Sequence, residues 1–230
     1  MLKDIQITLY DIFGYFLPGL IILLAVWIAF RTMFWPGEPV IVWHILSSQG
    51  IVSMFLVAYL AGHLGQGVGN LFQKLPIVDP NKGFSLHPEI DRSLKQNAAS
   101  RFGVKADGFT VSDLYELCDQ ALVHHGSFGE REIFTYREGF YRGNFVGLAL
   151  LTCALVLRAI YGPTKLAIVA DTMIDLGRSH LTFLSVTAAI GAWLAFQRYK
   201  RFAQYRIRSC FLRFLALTAE SPSRKGGESK

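Results

Sequence analysis

The stretch YLAGHLGQGVGNLF, residues 59–72, decides how the chain is read. Four glycines with His63, Gln66 and Asn70 interrupt an apolar run. Spaced glycines such as Gly65, Gly67 and Gly69 suit a phosphate-cradling turn, but that turn needs a strand before it and a helix dipole after it. Here the run continues backward as IVSMFLVAYLA (51–61), so Ile51 to Gln73 reads as one uncharged span.

Beyond this span the charges are segregated. Ile12–Phe30, Pro39–Gln73, Gly143–Leu157 and Ser179–Gln197 contain no Asp, Glu, Lys or Arg. A mean hydropathy of +0.34 with 52% hydrophobic residues is high for a water-soluble chain of 230. Three of the runs are long enough to cross about 30 Å of hydrocarbon as helices; the run from Gly143 falls short and needs extension to Tyr161, with Arg158 snorkelling toward the headgroups. The first run is too long for a signal-peptide core and lacks a small-x-small cleavage site at Phe30-Arg31-Thr32, so it reads as a permanent span. Pro18 and Gly19 inside it predict a kink whose freed carbonyl a neighbour satisfies.

Lys and Arg set the orientation. Residues 74–142 hold nine and the tail after residue 197 another nine, whereas 31–50 contribute Arg31 and 162–180 only Lys165 and Arg178. The positive-inside rule then puts both termini and the 74–142 insert in the cytoplasm, which requires four spans. Cys118, Cys153 and Cys210 fall in the insert, a span and the tail, leaving no thiol outside for a disulfide. The expected fold class is all-α: a polytopic membrane protein with four transmembrane helices and a small helical cytoplasmic insert. Its parts are a first helix pair (1–73), the insert (74–142), a second pair (143–197), a basic aromatic juxtamembrane helix (198–219) and a disordered end (220–230).

Wound at about 100° per residue, residues 58–70 show two faces. Ala58, Ala61, Gly62, Gly65 and Gly69 form a small face for close helix contact, either within the chain or between subunits. His63, Gln66 and Asn70 form a polar face that must hydrogen-bond to another helix or border water. If several copies share that space, the stripe becomes a ring, and a histidine makes its polarity depend on pH.

In the insert, Pro88 suits a first helical position for PEIDRSLKQNAASRF, stopping at Gly103. TVSD (110–113) reads as a capping box for a second helix ending near Gly126. Ser127 suits a cap for a third helix from near Gly129, which enters the membrane without a break apart from tolerable glycines. From Leu176 to Ala219 there is no acidic residue, and the tail sets Arg198, Lys200, Arg201, Arg206, Arg208 and Arg213 among Tyr199, Phe202, Tyr205, Phe211 and Phe214. Against anionic lipid each cation contributes about 1 kcal/mol and the aromatics settle at headgroup depth. Single-stranded nucleic acid is the less favoured partner for the same pattern.

No catalytic, cofactor or metal site is expected. His124 and His125 point about 100° apart on a helix, and with Cys118 they lack a further ligand at zinc spacing. Asp171 and Asp175 suit a solvated face better than a cation site. Glu138 and Arg142 read as a helix pair at the cytoplasmic interface. An embedded enzyme would need reactive groups converging at one depth, and Asp11 and His63, the only candidates, lie a helix apart.

The four-span layout with its insert, together with YDIFGYFLPG (10–19), YLAGHLGQ (59–66) and YREGFYRGN (136–144), resembles small multi-pass inner-membrane proteins of bacterial antiphage loci. These include the membrane component of the Kiwa system and membrane effectors linked to CRISPR or nucleotide signalling. The resemblance implies a homo-oligomer of the inner membrane that senses infection or permeabilises the bilayer as a pore-forming effector, with a cytoplasmic protein partner. The alternative of the same composition is a non-enzymatic anchor or accessory subunit of a transport or secretion complex.

Overall fold

The computed structural model describes residues 2–35, 40–41, 48–73, 84–103, 109–126, 129–162, 164–169 and 172–220. Six helices carry nearly all of these: α1 (Leu2–Phe34), α2 (Ser48–Gln73), α3 (Pro88–Phe102), α4 (Val111–His124), α5 (Gly129–Tyr161) and α6 (Arg178–Glu220). Four helices are long and apolar enough to cross a membrane, through Phe13–Phe34, Gly50–Phe72, Ile133–Tyr161 and Arg178–Ala219. The chain forms two compact units, one of residues 1–79 and 136–199, the other of 80–135 and 200–230.

In the first unit α1 and α2 run antiparallel, because later residues of one meet earlier residues of the other: Gly19 lies over Ala58, Tyr15 over Gly62, and Gly14 opposite Gln66. Helix α5 runs parallel to α1, with Gly143 against the Pro18 ring and Gly147 against Ile21. Leu181 and Ala188 of α6 form a small core with Leu155 of α5.

The connections between spans contain a small sheet that the sequence reading left as loops. Strand β1 (Val40–Ile41) pairs in parallel with β2 (Thr164–Val169), which pairs antiparallel with β3 (Thr172–Leu176). The cause is local: LAIV (166–169) is a short apolar, partly β-branched run with its partner only two residues on, a hairpin spacing. Pairing of β1 with β2 brings the α1–α2 and α5–α6 connections to one end of the unit. Asp175 is exposed on β3, while Asp171 lies outside the described residues.

The second unit has its own core. Leu94 and Ala98 of α3, Leu114, Cys118, Ala121 and Leu122 of α4, and Ile207, Cys210, Phe211 and Phe214 of α6 are all buried together. Each set recurs at three- and four-residue spacing, which puts it on one helix face. Local signals end these helices where the sequence indicates. Gly103 adopts φ 65°, the left-handed conformation glycine takes without strain, and its N–H bonds the Ala99 carbonyl. Thr110 caps α4: its hydroxyl accepts from the Asp113 N–H, and the Asp113 carboxylate accepts from the Thr110 N–H at 2.8 Å. The Thr110 hydroxyl, which donates to the Asp113 carboxylate at 2.7 Å, and then the Thr110 N–H hold that carboxyl below its usual value. Burial pushes the Cys118 thiol up to about 12, which disfavours its thiolate. Helix α5 starts at Gly129 and continues unbroken to Tyr161, as expected; Ser127 lies outside the described residues.

Candidate functional site

The best-defined constellation lies where α1, α2 and α5 meet. Pro18 has no N–H, so the Gly14 carbonyl four residues earlier loses its helical partner. Gln66 of α2 supplies the replacement, its Nε2 donating to Gly14 O at 3.5 Å. Pro18 lies within the continuous helix α1, and its freed carbonyl finds a donor on a neighbouring helix as expected; the identity of that donor was not legible.

Glycines make this approach possible. A methyl group at Gly19 would run into the Ala58 carbonyl, and one at Gly62 into the Tyr15 carbonyl, so backbone rests on backbone at both points. Gly65 faces the tip of Ile22, and Gly69 makes room for Arg142, whose Cγ would stand 2.8 Å from an added Cβ. Ala58, Gly62, Gly65 and Gly69 are buried and Ala61 half-buried. The small face is thus occupied by helices of the same chain. Close backbone contact, not a hydrophobic force, holds helices together where the solvent is itself apolar.

The sequence reading missed half of this seam. Gly139, Gly143 and Gly147 of α5 repeat every four residues and meet Gln66, Pro18 and Ile21. Their spacing is the same small-residue signal as on α2, and it stood within the residues taken as tolerable glycines of a continuous helix. Glu138 and Arg142 form the expected i,i+4 helix pair. Glu138 is 5% exposed, and its carboxylate stands 3.8 Å from Arg142 Nη1, with the Arg142 stem across Gly69.

The three residues of the polar face separate. Gln66 turns inward and is structural. His63 remains exposed, its ring stacked 3.7 Å from Tyr15 and edge-on to Tyr59 at 4.6 Å. Asn70 is exposed and carries no side-chain hydrogen bond among the described residues. Their α2 neighbours Leu60, Leu64 and Leu71 are also exposed, so between residues 60 and 71 two polar groups interrupt an apolar outer face.

Two expectations, one for Arg158 and one for the aromatic residues of the tail, are corrected. Arg158 is 1% exposed, so its stem is covered by protein and does not snorkel along lipid. The aromatics of the tail do not all settle at a headgroup layer: Tyr199, Phe211 and Phe214 are buried in protein. The pattern of Ile207, Cys210, Phe211 and Phe214 is a core-facing stripe, and the cations occupy the remaining surface. Arg198, Arg201 and Arg208 are exposed, and Lys200, Arg206 and Arg213 partly so. Arg206 is engaged within its unit, donating to the Tyr115 hydroxyl at 2.8 Å and lying over that ring. His125 hydrogen-bonds Arg101, and no three His, Cys, Asp or Glu side chains converge as metal ligands among the described residues. No protein-family model, curated protein or solved structure matches the chain.

Proposed function

We infer that the chain is an oligomeric inner-membrane protein whose α2 outer face borders a space shared by several copies, and that it acts as a pore-forming effector or membrane sensor. The observation that carries this reading is the pair His63 and Asn70, exposed on a face of leucines although Gln66 beside them has a partner. Polar side chains are costly against lipid and are retained where protein or water meets them. Helix α2 is also the least enclosed span, 17% of it buried against 33% for α1 and for α5.

The defence context rests on the resemblance in layout and in the quoted stretches, and the cytoplasmic insert is the part that would meet a partner or signal. The positive-inside distribution supports cytoplasmic termini. Reconstitution tests the reading. Native mass measurement in lipid nanodiscs should give several copies per particle, and liposomes should release a small encapsulated dye. In the His63→Leu and Asn70→Leu double variant, the copy number should persist and release should fall. Oligomers that release no dye contradict the pore and leave a membrane sensor, and a single copy per particle leaves the anchor or accessory reading.

A further inference from the structure

The surface of the second unit carries a groove that the pore reading does not use. One cavity of about 480 Å³ has Phe134, Tyr205 and Leu212 in its apolar wall and Arg208, Ser209 and Arg213 as its polar groups. A second, of about 260 Å³, shares Tyr205, Arg208 and Leu212 and continues to Phe84, His87 and Ile90. The larger volume lies within the range of small-ligand sites, which are mostly apolar with a few placed polar groups.

Charge and shape narrow the ligand. No acidic residue lines either cavity. Arg208 lines both, is exposed, and makes no hydrogen bond or ion pair among the described residues. Arg208 and Arg213 both border the groove, and the planar fork of a guanidinium matches an oxyanion such as phosphate. The Tyr205 ring is already positioned: Arg201 Nε donates to its hydroxyl at 2.9 Å, and Phe134 and Phe202 lie 6.2 and 6.3 Å from it. An aromatic wall bordered by cationic residues suits a phosphate attached to an apolar or flat body.

We propose that the groove bounded by Tyr205, Arg208, Leu212 and Arg213 binds an organic phosphate, with the guanidiniums on the phosphate and Tyr205, Phe134 and Leu212 on its apolar part. Two sources carry that chemistry, a nucleotide and a phospholipid headgroup with its acyl chains. The test uses the full chain in neutral detergent, titrated calorimetrically with adenosine monophosphate, with dioctanoyl phosphatidic acid and with inorganic phosphate. At least one organic phosphate should bind saturably and more tightly than inorganic phosphate. Arg208→Gln and Arg213→Gln should each weaken it tenfold or more, while Arg92→Gln, at an exposed position of α3 outside the groove, should change it less than twofold. Binding of adenosine monophosphate alone identifies a nucleotide-type ligand, and of phosphatidic acid alone a lipid. The proposal is overturned by no saturable binding of either, by inorganic phosphate binding as tightly, or by equal losses in all three variants. Unchanged circular dichroism of the variants separates lost binding from lost fold.

Discussion

Replacing Gln66 by Leu removes the amide that reaches Gly14 while keeping a side chain of similar size against Gly139 and Gly143. The carbonyl is available to Gln66 only because Pro18 lacks an N–H. An unmet buried carbonyl costs about 1–3 kcal/mol, but side-chain hydrogen bonds between membrane helices average about 0.6 and reach about 1.7 kcal/mol. At 3.5 Å the bond is long, so Gln66→Leu should cost about 0.5–1.5 kcal/mol. The decisive quantity is a coupling. Pro18→Ala restores the N–H to Gly14, so in that background the same Gln66→Leu change should cost almost nothing. The four proteins of this cycle, unfolded by SDS in mixed micelles, should show a coupling of about 0.5 kcal/mol or more. The contact between the Pro18 ring and Gly143 is lost from both Pro18→Ala proteins and cancels. Equal costs of Gln66→Leu in both backgrounds would refute the assignment of the amide to the carbonyl.

The glycine seam predicts a graded series in the same assay: Gly19→Ala and Gly62→Ala meet backbone and should lose about 1–3 kcal/mol or more. Gly65→Ala and Gly69→Ala meet the movable side chains of Ile22 and Arg142 and should lose under about 1 kcal/mol, while Gly67→Ala meets nothing within 4 Å and should lose none. In the second unit, Phe211→Ala or Phe214→Ala empties a fully buried site and should cost about 3–5 kcal/mol, seen as faster tryptic cleavage of the full chain within residues 80–135. The depressed Asp113 carboxyl contributes stability above its unfolded value of 3.8, and that contribution is lost as pH falls below it. The stability gap between the native chain and Asp113→Ala should therefore be full at neutral pH and close in strong acid.

Much of this arrangement is legible locally. Pro88 and Gly103 bound α3, and the Thr110–Asp113 pair starts α4, because caps depend on a few neighbouring residues. The four apolar runs follow from length and charge alone. What the sequence withholds is the partner of each face. Gly65 and Gly69 suit a neighbour from this chain or another equally well, and only α1 and α5 in place show that Ile22 and Arg142 occupy them. The tail is ambiguous for a related reason: aromatics and cations on one helix suit a lipid surface or a protein core with a charged outside, and Phe211 and Phe214 take the second course. Gln66 shares a helical face with His63 and Asn70 by angle, yet its neighbours draw it into the seam.

Helix α2 turns its glycine face inward, and cysteine cross-linking in native membranes tests whether its His63–Asn70 face meets other copies. In a Cys153→Ala background, where the remaining thiols Cys118 and Cys210 are buried, single cysteines at His63, Gly67 and Asn70 should give disulfide-linked dimers on oxidation. Cysteines at Ala58 and Gly65 should give none. Dimers from the inward positions but not from the outward ones would contradict the account.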